Sequence, residues 1–541
     1  LVLACLSVTL SHQAWANEAK MDSTDSSSIQ NGKTSGQLKK VVITSERDIA
    51  QRAEQAPSTT KSTVPLIETP ISVQTVPKAL IDDLQANSLR EASQTVSGVY
   101  AGSTSVHEDI IVRGFQIRDS YRNGVRTRRL GATEVANAER VDILKGPSSV
   151  AFGRGDVGGV FNVVTKKPQE TAYYSVQQQV GSDSFIQTQV DATGSVNDSN
   201  TVLYRVTGAY ENSDSFRDFV ETERTFIAPS LSFVPSEDTR INLEFEFANQ
   251  DSPIDRGIVA VGNRPANVPV GRNFGEKGDN HENEVSIAAF DWSHRLNENW
   301  TLRQNFLQEK GRGQGFEHLH TLIDDDGSLY RVGRRIAQRD IDSTYTSFEL
   351  AGQVDWLGVS HEPVLGVDYY DTEGQFDFRM PDYVDIDGDD IPDIPAGTIF
   401  NIFQPVYGQP EPDTTLQDTT FNSARNNAVY IQDQISLTSH LRLLVGGRYD
   451  NAKSHLESPI GSTAITTNDK EFSSRVGLAW VSESNWSVYS NYTESFSDTN
   501  YGLSASGKNF NPTKGEQFEV GFKAESTDKG LFTTLALYEL R

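Results

Sequence analysis

From about residue 172 onward the chain repeats one unit: roughly ten residues that alternate apolar and polar, a turn, then another such run. In the run 441–450, Leu441, Leu443, Val445 and Tyr449 share one face, and Arg442, Arg448 and Asp450 share the other. In the run 517–523, Phe518, Val520 and Phe522 point one way; Gln517, Glu519 and Lys523 point the other. Period two predicts strands whose two faces meet different surroundings. About 15 of them fit before Arg541.

The connections sort by length. Short turns are expected at residues 197–200, 297–299, 357–361, 438–440, 482–485 and 526–530, with long polar stretches such as 251–283 and 381–424 in the gaps between them. Trp300, Trp356, Trp480 and Trp486 flank the short turns. An all-β transmembrane barrel combines these features: apolar side chains toward lipid, polar ones toward the lumen, short turns on one side and an aromatic girdle at the interface. A soluble sandwich has no reason to sort its loops this way. An odd last strand leaves the sheet open, and an open edge in lipid leaves backbone groups unsatisfied. The barrel, residues 172–541, is therefore expected to be truncated at its C-terminus.

Residues 65–168 read differently, with mixed short strands, many glycines and one helix expected over 77–93, where Leu80, Leu84 and Leu89 share a side. Within them, Gly153-Arg-Gly155-Asp-Val-Gly158 is a literal G-x-G-x-x-G. A dinucleotide site needs those glycines between a strand and a helix. Here they lead into Val160-Phe-Asn-Val-Val-Thr165, a strand signal, so that reading is set aside.

Composition narrows the classes. The formal charge is −26, which opposes nucleic acid as a partner. Leu1 to Leu10 is mostly apolar and Ala14-Trp-Ala16 is a small-x-small cleavage signal, so residues 1–16 read as part of a secretory leader. The only cysteine, Cys5, lies in that leader, which removes disulfides, thiolate zinc sites and cysteine catalysis from the mature chain. Among nine histidines no catalytic constellation stands out, and no enzyme activity is expected.

Several stretches, in order, are "ETPISVQTVPKALIDD", "IIVRGFQ", "NGVR", "ERVDILKGPSSVAFGRGDVGGVFNVVTKKP", "AVYIQDQISL", "LLVGGRYD", "SVYSNYTESFSD" and "NPTKGEQFEVGFKAE". As an ordered set they resemble the TonB-dependent outer-membrane receptors, and among these the siderophore receptors of ferrichrome type. The resemblance covers roughly residues 41–541. It implies a 22-stranded barrel with a mixed α/β plug domain, residues 65–168, in its lumen. It also implies uptake of a ferric siderophore, with no resident cofactor, driven by the inner-membrane TonB complex. The Gly-rich run becomes a structural turn of the plug, where Gly146, Gly153, Gly155, Gly158 and Gly159 permit close packing and positive φ.

The same resemblance places a periplasmic extension at residues 17–64. Its TonB box is Lys40, Val41, Val42, Ile43, Thr44 and Ser45, a β-branched run suited to pairing with a partner's sheet edge. Outer-membrane lipid and lipopolysaccharide surround such a barrel, and a monomer is expected. Receptors for haem, cobalamin or another metal chelate are the alternative; a passive porin is opposed by the plug motifs.

Six arginines fall between Arg113 and Arg129, an island of positive charge in an acidic chain. Arg118, Arg126 and Arg128 are the candidate floor of an anionic-chelate site at the plug apex, because the guanidinium fork pairs with oxygen atoms. Tyr121 is expected to stack on the ligand. Arg113 is instead assigned to an inward barrel acid such as Glu519, since charges in a narrow lumen need partners. In the long acidic loop, Asp385, Asp387, Asp389 and Asp393 are spaced as oxygen ligands for Ca²⁺, although the plainer reading is a solvated acidic loop.

Overall fold

The structure is a computed structural model of the full chain. It describes residues 55–541 except 104–107, 129–132, 325, 385–393, 396, 410–412, 461–462, 498–505, 507–508 and 527–530, together with the backbone of Leu6–Leu10.

One antiparallel sheet of 18 strands dominates the molecule. Setting aside Leu6–Leu10 and the short pieces Val354–Trp356 and Thr398–Asn401 leaves 15 long strands in simple meander order, from Tyr173–Val180 to Phe532–Leu540. The pleat sorts the side chains as the alternation requires. Phe518 and Val520 are about half exposed on the lipid face, while Glu519 between them is fully buried on the lumen face. The same holds around Arg448 and Asp450, both buried inward, with Tyr449 outward. No helix among the described residues is long and apolar enough to cross a membrane. Trp480 packs 5.0 Å from Trp486, which lies 6.0 Å from Phe522, an aromatic cluster at the short-turn rim.

The plug fills the lumen with two small sheets. The larger runs in the order Val73–Pro77, Ala138–Lys145, Gly159–Thr165, Ser120–Arg122, Val125–Thr127. The smaller is Val99–Ser103, Glu108–Val112, Phe115–Ile117. Their shared core includes Val76, Leu89, Ile110, Val112, Ile143 and Phe161.

Several expectations need correction. The helix expected over 77–93 is two short helices, Lys78–Asp83 and Leu89–Ser93, because Gln85 between them takes φ +51° and ends the first. Ahead of residue 65, Pro57–Thr60 is a helical turn, and Thr59, Thr60, Lys61 and Ser62 are buried in the lumen. The external connections are shorter than expected, since strands continue into the polar stretches. Asp251 and residues 280–283 are in strands, as is Ala424. Trp300–Ile323 and Ser328–Gly352 have 24 and 25 residues. At roughly 3.3 Å per residue each spans about 80 Å, well beyond an apolar band of about 25 Å. The short turn between Glu221–Ser236 and Thr239–Asp251 adds to those expected from the pattern. In the unprocessed chain the backbone of Leu6–Leu10 lies antiparallel to Tyr173–Val180.

Candidate functional site: the plug apex and the lumen wall

The apex residues stand on a two-residue hairpin whose turn is buried against the backbone of Ser58. Asn123 and Gly124 take φ +52° and +81°, the left-handed pair that joins twisted strands tightly, and connect Ser120–Arg122 to Val125–Thr127. The Gly-rich run supports it from the side. Asp156 accepts the backbone N–H groups of Arg118 (2.6 Å) and Asp119 (3.1 Å), and burial followed by the Asp119 charge raises its pKa.

The sequence-selected residues separate under this geometry. Arg118 is exposed. Arg126 is half-buried, pairs with Asp119 at 2.6 Å, donates to the Arg154 carbonyl (3.2 Å) and lies 5.4 Å over the Tyr370 ring. Arg128 donates its backbone N–H to Glu309 (2.8 Å) and lines a cavity between plug and wall with Glu134, Glu246 and Glu309. Tyr121 does not reach the exterior. It is 2% exposed, packs edge-on against Phe152 at 4.8 Å, and its hydroxyl is buried without a partner. The stacking role expected for Tyr121 is therefore corrected: its ring faces are covered by the plug core.

Facing the apex, the strand Val359–Met380 presents Tyr370, Phe376 and Phe378 to the lumen on alternate residues. Phe376 and Phe378 stack at 6.5 Å, and Arg334 lies 5.4 Å over Phe378. Arg334 and Arg256 share Glu317. Sequence reasoning does not place these wall residues, because alternation says which way a side chain points but not which plug loop it meets.

The structural residues lie below. Arg113 occupies a hairpin turn with Gly114 (φ +52° and +86°). Its guanidinium pairs with Glu519, bonds Gln517 and sits 4.0 Å over Tyr538. Glu519 also accepts the Tyr489 hydroxyl at 2.7 Å. Gly146 (φ +97°) donates its N–H to the Gly158 carbonyl, Gly159 takes φ +146°, and a Cβ on Gly146 would collide with the Gln517 side chain. Gly153 also has positive φ, whereas Gly155 and Gly158 do not; a Cβ on Gly158 would instead meet the Val112 carbonyl oxygen at 2.6 Å. The run follows the short helix Ser149–Phe152 and enters the strand Gly159–Thr165, the reverse of a dinucleotide-binding order.

Lys40, Val41, Val42, Ile43, Thr44 and Ser45, and likewise Asp385, Asp387, Asp389 and Asp393, lie outside the described residues. Among the described residues no cluster of three or more metal-ligating side chains occurs.

A barrel whose lumen is filled by a separately folded plug defines the TonB-dependent receptor class. The family profile "TonB dependent receptor-like, beta-barrel" matches residues 229–541, and "TonB-dependent Receptor Plug Domain" matches residues 65–160. The chain belongs to this family: an outer-membrane β-barrel receptor, not an enzyme. It is 28% identical to the metal-pseudopaline receptor CntO of Pseudomonas aeruginosa over 93% of this chain and 72% of that protein. It is 25% identical to the ferrichrome outer membrane transporter/phage receptor of Escherichia coli, over 90% and 69%. Among solved structures, BauA, the ferric preacinetobactin receptor from Acinetobacter baumannii, superposes with TM-score 0.80 at 20% identity, covering 91% of this chain and 74% of that one.

Proposed function

We propose that the chain imports a ferric siderophore across the outer membrane, energised by the TonB complex acting on residues 40–45. The observation that carries this reading is the apex: Arg118 is exposed, half-buried Arg126 lies over the Tyr370 ring, and the same wall strand carries the stacked Phe376 and Phe378. An oxygen-rich, anionic chelate with planar groups fits such a surface, since arginine pairs with its oxygens and aromatic rings pack on its apolar faces. A porin reading is opposed by the lumen itself, which the plug occupies down to fully buried pairs. A second reading, uptake of a chelate carrying a metal other than iron, draws support from the likeness to a metal-pseudopaline receptor.

The test is growth of an iron-starved strain whose only such receptor is this chain, on a panel of ferrichrome, ferrioxamine B, ferripyoverdine, ferric preacinetobactin and metal-pseudopaline. Growth on a ferric member supports iron uptake. Growth restored by metal-pseudopaline only when the same strain is starved of a metal other than iron favours the second reading, and growth under neither starvation counts against both.

A further inference from the structure

Residues 56–71 form a strap along the inner wall. Lys61 pairs with Glu349 at 2.6 Å, and Ser62 donates to Glu362 at 3.1 Å. Further along, the Thr60 carbonyl accepts from Gln432 (3.1 Å) and Arg475 (3.3 Å), and Glu68 pairs with Arg442 at 2.7 Å. The Ile67 carbonyl accepts from Ser487 (2.6 Å), and the carbonyls of Leu66, Thr69 and Ile71 accept from the Lys523 ammonium at 2.6, 2.6 and 2.9 Å. The strap thus crosses seven consecutive strands, from Ser328–Gly352 to Thr513–Glu525.

Arg475 is the anomaly in this contact. It is buried, its Nε has no partner, and among the described residues it has no carboxylate beside it. A neutral donor would serve the Thr60 carbonyl as well, whereas a buried, uncompensated charge is costly. Arg442 and Lys523 depend on the strap in part: Glu68 and three strap carbonyls leave with it, while Arg442 keeps the Thr438 and Ser439 carbonyls and Lys523 its place 5.0 Å over the Tyr489 ring. Lys61 departs with it too, so Glu349 and Glu362 remain at one end of the vacated path and three cations at the other.

We infer that the strap covers a cationic passage: when residues 56–71 are withdrawn, Arg442, Arg475 and Lys523 line a path along the inner wall that draws an anionic chelate toward the periplasm. This rests on the uptake reading above, because force on the preceding segment is what would withdraw the strap. The strap is then both the closed gate and the temporary partner of the charges that make the open path selective.

The test needs no identified ligand. Beyond Cys5 the chain has no cysteine, so Ser487→Cys, directly across the ladder from Lys523, is a unique thiol under the strap. The probes are anionic sulfonatoethyl and cationic trimethylammonioethyl methanethiosulfonate, applied to the full receptor in outer membranes. Lys61→Glu and Glu68→Lys, which set like charges against Glu349 and Arg442, each loosen the strap; heat-modifiable gel mobility reports that the barrel is folded. The thiol should be silent in Ser487→Cys alone and reactive in either loosened variant, with the anionic probe about tenfold or more faster. Adding Arg475→Gln and Lys523→Gln should erase that preference. A thiol silent in both loosened variants, equal rates for the two probes, or a preference that survives loss of the cations each overturns the inference. Growth on the chelate panel is scored separately, so failure of the uptake reading is distinguishable from failure of the passage.

Discussion

Arg113, at a plug hairpin turn, and Glu519, on the lumen face of a barrel strand, form an ion pair buried from solvent 406 residues apart in the chain. The pair is the centre of a small network: Tyr489 bonds Glu519, Gln517 bonds Arg113, and the Tyr538 ring covers the guanidinium. Removing one partner leaves the other charged and buried, which costs about 3–5 kcal/mol. Glu519→Ala should therefore expose the plug to protease at temperatures where the parent is resistant. Arg113→Met with Glu519→Leu, which removes both charges, should recover most of the loss. A double variant as labile as the single one would place the stability elsewhere than in this pair.

The apex arginines should separate by role. Arg118 is exposed and can lose solvent against a ligand, and a charge-assisted contact contributes about 1.5–3 kcal/mol. Arg118→Ala is therefore expected to weaken chelate binding about tenfold or more, measured by tryptophan quenching. Arg126→Ala also releases Asp119, so it should weaken binding and raise protease cleavage near the apex. Tyr121→Phe is expected to change neither, because the hydroxyl it removes is buried and unpaired. A large affinity loss in Tyr121→Phe would mean that the tyrosine reaches the ligand after all.

Much of the architecture is legible in the sequence for one physical reason: lipid on one side and a wet lumen on the other impose strict alternation. That is why the alternation alone identifies Glu519 as inward-facing, and why 15 long strands can be counted along the chain. Arg113 and Glu519 can be paired because both have to be buried and a narrow lumen demands that each charge find an opposite one. Loop boundaries mislead because polar residues above the membrane look alike in a loop and in a strand, as across residues 280–283. Tyr121 misleads because aromatic character fits a ligand platform and a plug core equally. The strap is unreadable: Pro57–Thr60 carries no strand or long-helix signal, and its partners Glu349, Arg475 and Lys523 lie hundreds of residues away.

Lys145 should give the plug a measurable pH dependence. Burial, and then the Arg113 charge, push its ammonium down to about 8 from the ordinary lysine value. The folded chain therefore binds this proton more weakly than the unfolded chain does. Between about pH 8 and the unfolded value near 10.4 the unfolded state holds the extra proton, so stability rises with pH across that window and not below it. Lys145→Gln should flatten the rise, read as thermal unfolding of the purified receptor at several pH values. The same slope in variant and parent would assign it to another group.

The last prediction concerns how force enters. If residues 40–45 pair with the energising partner, deleting them should abolish chelate uptake and leave chelate binding unchanged, since binding is external and coupling periplasmic. The strap makes a sharper version of this test available. Ser62 and Glu362 meet at 3.1 Å, so Ser62→Cys and Glu362→Cys are close enough for a short bis-thiosulfonate cross-link. That link fixes the strap to the wall while leaving residues 40–45 free to engage their partner. Uptake should stop on cross-linking, binding should persist, and a reductant should restore uptake in the same cells. Undiminished uptake in the cross-linked receptor would show that the plug moves without releasing residues 56–71, and would separate the path of force from the path of the chelate.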